Sequence, residues 1–162
     1  MTYKFYHIIK DFPTLTQDLV DEVYWSINHC KNVFIDPNHK SYKQFLVSYK
    51  LKDFTSSFVK EDHFASIQVI NEGLPIHIDF YRQEAFNYII EQGGDNTTTR
   101  FYDLNDFNKV GNKLQQKNTN IECIEQVIIP KHQWHKLDVT VPHNVTDIET
   151  TRISLSINLL KR

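Results

Sequence analysis

The chain has 162 residues and 19.2 kDa, 40% of them hydrophobic and 13% aromatic, which suffices for a packed core and excludes a disordered chain. With 18 basic and 20 acidic residues the formal net charge is -2, which argues against nucleic acid or a membrane surface as the dominant partner. Cys30 and Cys123 fit no zinc or redox spacing and are expected to be buried free thiols; the absence of an apolar h-region or membrane-length run predicts a cytoplasmic protein.

Tyr3, Phe5, His7 and Ile9 alternate with Lys4, Tyr6 and Lys10, which predicts an opening strand ended by Pro13. Thr14 with Gln17 three residues on reads as a capping box. Leu15, Leu19, Val20, Val23, Tyr24 and Ile27 recur at helical spacing, so a helix is expected to about Asn28, its apolar face on a sheet. Asp36-Pro37-Asn38-His39 has turn chemistry. Residues 41–51 fit a helix through Tyr42, Phe45, Leu46 and Tyr49, and a strand through Phe45, Val47 and Tyr49; both readings stand.

Strands are expected at 64–70 and, after a turn at Asn71-Glu72-Gly73, at 75–81. Others follow at 85–91, 100–102, 121–129, 137–141 and 152–159, all rich in β-branched and aromatic residues and separated by Gly-, Asn-, Asp- and Pro-containing loops. The polar interval 105–120 reads as a surface loop with a short helix. Asn96-Thr97-Thr98 and Asn144-Val145-Thr146 match the glycosylation pattern but, without an export signal, read as ordinary loop residues. Roughly eight strands without repeats suggest a mainly β, double-sheet jelly roll. The expected organisation is a single domain, 1–162, with N-terminal support over 1–63 carrying one or two helices and a β core over 64–162.

His77 and Asp79 lie two apart on an expected strand, so an imidazole and a carboxylate leave the same face. Such pairs also occur on solvated strand faces, and the rest of the chain must decide. In the last strand Arg152, Ser154, Ser156 and Asn158 share one face, and Ile153, Leu155, Ile157 and Leu159 the other. On an edge strand the polar face meets water; in a barrel it can line a pocket, where Arg152 with Ser154 would suit a carboxylate. His143 falls at a strand end, nine positions before Arg152. Two histidines and a carboxylate, leaving positions open, make the facial triad of non-haem Fe(II) oxygenases.

In His77-Ile78-Asp79 with Arg82 and Asn87-Tyr88, in Thr99-Arg100-Phe101-Tyr102-Asp103, in residues 137–145 and in Arg152-Ile153-Ser154-Leu155-Ser156-Ile157, the chain resembles the 2-oxoglutarate/Fe(II)-dependent oxygenases of the double-stranded β-helix (cupin-like) class. The likeness is to small domains related to aspartyl/asparaginyl and prolyl hydroxylases, and it covers about 75–159. It implies that His77, Asp79 and His143 bind Fe(II), that Arg152 pairs with the distal carboxylate of 2-oxoglutarate, and that Ser154 adds a hydroxyl. Asn87 resembles a cosubstrate-contacting position and reads equally as a buried Asn satisfying backbone groups. The implied reaction couples decarboxylation of 2-oxoglutarate, with O2, to hydroxylation of an unidentified substrate, either a protein or peptide side chain or a small molecule.

Tyr81 and Tyr102 are expected to be core aromatics rather than pocket walls. His135 rivals His143 as third ligand, but it lies seventeen positions before Arg152, too far for a short final loop. His7, His29, His39, His63 and His132 read as surface or partly buried. The competing readings are a cupin-like metal or small-ligand binding module without turnover, and a purely structural jelly roll. Substrate selectivity is expected in 92–98, in 105–120 and in parts of the N-terminal half. The oligomeric state is not readable from the sequence.

Overall fold

The structure is a computed structural model that describes residues 2–35, 37 and 39–160. The predicted turn at 36–39 falls partly outside the described residues. Along the chain, β1 (Tyr6–Ile9) is followed by α1 (Gln17–His29), β2 (Asn32–Ile35), β3 (Tyr42–Leu46) and α2 (Tyr49–Phe58). Then come β4 (His63–Ile70), β5 (Glu84–Gln92) and β6 (Thr98–Tyr102), and a hairpin of β7 (Phe107–Val110) and β8 (Lys113–Gln116). The last elements are β9 (Cys123–Val127), β10 (Trp134–Asp138), β11 (His143–Thr146) and β12 (Arg152–Leu159).

The strands form a large sheet in the order β1-β10-β5-β12-β4-β3-β2 and a small one, β11-β6-β9. From β4 onward the chain passes repeatedly between them, giving a mainly β jelly roll with antiparallel pairing. Between the sheets Phe5, Ala85, Ile89 and Leu137 of the large-sheet side meet Phe101 and Val127 of the small sheet. On the outer face of the large sheet the helices cover Ile67, Tyr88, Trp134, Leu155 and Ile157 with Leu19, Val23 and Leu51. This second core explains β12, which is central rather than an edge: its odd-numbered apolar residues face the helices, while Arg152, Ser154 and Ser156 are buried on the inner face.

Several local expectations need correction. A bend at Lys4 and Phe5 breaks the opening alternation, so Phe5 and Tyr6 are both buried whereas His7 and Ile8 are exposed. The N-cap of α1 is Thr16, without a side-chain cap, so the capping box from Thr14 does not form. The ambiguous 41–51 stretch contains both candidates in succession: β3, and then the start of α2, where the Ser48 hydroxyl accepts from the Leu51 N–H at 3.4 Å. The interval 105–120 opens within the short 3-10 helix Leu104–Asp106, in keeping with the short helix expected there, but continues as the β7–β8 hairpin instead of a loop. The single strand expected at 137–141 is a corner, with β10 ending at Asp138 and β11 starting at His143. The cysteines are free, but half-buried instead of buried. No helix among the described residues is long and apolar enough to cross a membrane.

Candidate functional site

The segment carrying His77 and Asp79 is not the regular strand expected at 75–81. It lies antiparallel to β11 and pairs as a bridge at one position, His77 opposite His143, with the two backbones exchanging N–H···O bonds of 3.0 and 2.9 Å. Flanking bonds run from the Leu74 N–H to the Val145 carbonyl and from the Asp79 N–H to the Val139 carbonyl, both 2.9 Å. The bridge sets the imidazoles side by side, with ring centroids 4.4 Å apart. Asp79, two residues on, projects to the same side, and one ligand atom from each of His77, Asp79 and His143 lies within 4.8 Å of the others.

Each histidine is held the same way. Its Nδ1 sits 2.8 Å from the carbonyl two residues earlier, Pro75 for His77 and Val141 for His143. A carbonyl can only accept, so in both rings Nδ1–H is the donor and Nε2 is left for another partner. His143 is buried, and burial, followed by the neighbouring His77 charge, pushes its pKa down to about 4. It is therefore neutral at physiological pH, as a metal ligand must be.

Burial opposes charge on Asp79, but Arg82 above all, with His143 and His77, holds its carboxyl below the usual range. The Arg82 Nε donates to Asp79 Oδ2 at 2.5 Å, while its Nη1 reaches β12 at Asn158 Oδ1 and Ser156 Oγ, the latter at 3.4 Å. Oδ1 remains turned toward His77 Nε2, 3.7 Å away. Two imidazole nitrogens and one carboxylate oxygen are a donor set suited to Fe(II) with positions left open.

Arg152 is 5% exposed on the inner face of β12. Its Nη1 has a long contact of 3.5 Å to the Gln92 carbonyl, and no carboxylate lies within ion-pair distance among the described residues. Burial alone pushes its pKa down to about 10, so it remains a cation without a counterion. Ser154 is buried beside it, 3.5 Å from Gln68 Oε1, and Asn87 on β5 is buried with Oδ1 unpartnered. The backbone at Gly93 makes room for Arg152: its φ is +88°, and a Cβ there would stand 3.0 Å from the Arg152 Cβ.

No family model matches the chain, and no curated protein does. Among solved structures it is similar to a prolyl hydroxylase from Trichoplax adhaerens, in complex with a hypoxia inducible factor oxygen degradation domain peptide fragment. That match has a TM-score of 0.59 and 12% identity, over 96% of this chain and 83% of that one. A Pseudomonas putida prolyl-4-hydroxylase matches at TM-score 0.56 and 12% identity, over 97% and 92% of the two chains. The hazelnut (Corylus avellana) vicilin is matched at TM-score 0.47 and 7% identity, over 82% of this chain but 32% of that one. The feature shared with the two hydroxylases is the jelly-roll fold.

Within that fold, the remaining sequence candidates divide clearly. Tyr102 is a core aromatic, its hydroxyl donating to Asn144 Oδ1 at 3.1 Å, but Tyr81 is 87% exposed and not core. His135 lies on β10 of the large sheet, outside the clustered donors, and burial with the Arg152 charge pushes its pKa down to about 3. Sequence reasoning assigned no role to Arg82 or Gly93. The partners of Arg82 on β12 are 74 and 76 residues away, and no local pattern announces them.

Proposed function

We propose that the protein is a non-haem Fe(II) dioxygenase that couples decarboxylation of 2-oxoglutarate to hydroxylation of a second substrate. The observation that carries this reading is Arg152, a cation buried on the inner face of a jelly roll without a counterion among the described residues, in a fold that also clusters His77, Asp79 and His143. A buried guanidinium is costly unless an anion meets it, and a terminal carboxylate is complementary in charge and geometry.

In this reading His77, Asp79 and His143 hold the iron, and Arg152 with Ser154 and Asn87 orients the keto acid. Arg82 keeps Asp79 ionised and turned. Bound iron, keto acid and O2 would together supply the oxidation of a C–H bond, with succinate and CO2 as co-products. The protein itself contributes fixed ligand positions, a neutral imidazole at His143 and a site walled by two sheets. Phe80 and Tyr81, 39% and 87% exposed directly after Asp79, offer exposed aromatic surface in the segment that carries the cluster, which favours a polypeptide side chain as the substrate.

The test is succinate formation from 2-oxoglutarate in the presence of Fe(II) and oxygen, followed without a primary substrate. Slow uncoupled succinate release is expected, and Arg152→Ala should raise the 2-oxoglutarate requirement while sparing iron binding. Metal binding with no succinate under any condition would leave a binding module and contradict the reading.

A further inference from the structure

The chain between β6 and β9 folds back on itself as a separate two-stranded sheet, β7–β8, joined by a tight turn in which Gly111 takes a φ of +59°. Neither strand pairs with a strand of the jelly roll, and within 107–117 only Phe107 is buried. Such a ribbon is marginal in water until a third strand or a covering element joins it. It leaves β6 at Tyr102, one residue past Phe101, whose partner across the small sheet is His143. The arm therefore starts at the end of the small sheet that carries the clustered donors.

Charge sets this arm apart as well. Lys109, Lys113 and Lys117 fall between Phe107 and Ile121 without a single Asp or Glu, in a chain whose net charge is -2. Among the described residues no carboxylate lies within ion-pair distance of these lysines, and Lys117 Nζ donates to the Asn105 carbonyl at 2.7 Å. Side chains alternate along a strand, so Lys113, Gln115 and Lys117 share one face of the ribbon. The Lys117 N–H donates to the Asp106 carbonyl at 2.9 Å, which makes these two residues a hydrogen-bonded pair at the root of the hairpin. Bonded and non-bonded pairs alternate in an antiparallel ladder, so Leu114 and Gln116 turn their N–H and C=O groups away from β7, onto the open edge.

Open backbone groups and two cations four residues apart on one face restrict what this edge can take. A second copy of the chain would bring the same lysines and be repelled. Nucleic acid would call for aromatic platforms, and 108–120 has no aromatic residue. An extended polypeptide with carboxylates at matching spacing satisfies both the backbone and the charges.

We propose that the open edge of β8 is a docking site for an extended acidic segment of a polypeptide partner, which adds as a third strand and sets carboxylates opposite Lys113 and Lys117. That this partner is also the hydroxylation substrate rests on the proposed function; the docking itself does not.

The test is fluorescence anisotropy of the full chain with a labelled peptide, Glu-Thr-Val-Thr-Glu-Thr-Val-Thr, beside its Gln-for-Glu analogue and an oligothymidylate of similar length. The acidic peptide should bind, its analogue about tenfold more weakly, and added salt should narrow the gap. Lys113→Gln combined with Lys117→Gln should weaken the acidic peptide about tenfold. Gln116→Pro removes an outward N–H without breaking the ladder or changing the charge, and should weaken both peptides. Both variants should keep the wild-type melting temperature. No binding of the acidic peptide by wild type, or equal binding by wild type and the double lysine variant, would overturn the docking site. Equal affinity in Gln116→Pro would overturn the strand addition. An oligothymidylate bound more tightly than the peptide, and lost with the lysines, would assign the arm to nucleic acid instead. The titration needs neither metal nor keto acid, so its failure and a failure of succinate formation are told apart.

Discussion

Arg82 links the two halves of the site, because one side chain touches the Asp79 carboxylate and two residues of β12. By engaging Oδ2 it leaves Oδ1 turned toward His77 Nε2, and in the proposed function it would be the outer partner that orients a metal ligand. Replacing it with Met, which keeps the stem and removes the fork, should lower Fe(II) affinity about 10- to 100-fold while leaving the fold intact. Anaerobic competition against a chelating dye measures this; equal affinity in Arg82→Met would show that the contact does not position Asp79. The His77 and Asp79 pair was legible in the sequence because residue type and two-residue spacing carry it, whereas His143 was read from its place nine positions before Arg152 and from the family resemblance. The Arg82 latch was not, because it depends on a contact across 76 residues of chain.

Among the elements, β12 was the most readable and its environment the least. Strict alternation of polar and apolar residues fixed its faces, but alternation cannot distinguish a face turned to water from one turned into a barrel. The answer came from β4 and β5 on either side and from the helices behind. Helix α2 escaped because Tyr49 and Phe45 suit either period, and the stretch that seemed ambiguous is a strand followed by a helix. The β7–β8 hairpin escaped because most of its residues are exposed and polar, leaving no apolar alternation to read. The corner at 139–142 escaped because Val139 and Val141 continue a strand-like rhythm through a turn. Gly93 shows how a loop serves a strand: its carbonyl accepts the Glu149 and Thr150 N–H groups at 2.7 and 2.9 Å, bringing the approach to β12 against the end of β5. Gly93→Ala forces a side chain into a positive-φ position against the Arg152 Cβ and should cost about 1–3 kcal/mol by urea denaturation. It should also weaken 2-oxoglutarate binding more than metal binding. Wild-type stability in Gly93→Ala would contradict the close approach.

At the scale of the whole molecule, two cores divide the labour: helices seal the outside of the large sheet, and the space between sheets changes from apolar at Phe101 and Ile129 to polar at the site. That polar interior makes the empty protein acid-sensitive. The ordinary histidine pKa of 6.5 falls to about 4 at His143 and about 3 at His135 in the folded state, burial being the leading cause at both. Between those values and 6.5 the unfolded chain binds more protons, so folding stability is full above pH 6.5 and falls as pH drops toward 4. Each histidine contributes a slope of up to about 1.4 kcal/mol per pH unit, measurable by urea melts of metal-free protein between pH 7 and 5. A flat profile would contradict the burial of both imidazoles.

The central claim, that His77, Asp79 and His143 hold a metal on which a keto acid seated by Arg152 closes, is tested most directly by visible absorption. Protein with Fe(II) and 2-oxoglutarate, kept anaerobic, should develop the weak metal-to-ligand charge-transfer band of a chelated keto acid, and His77→Ala and His143→Ala should lose it. Absence of the band in the native protein, or its persistence unchanged in both variants, would contradict the assignment.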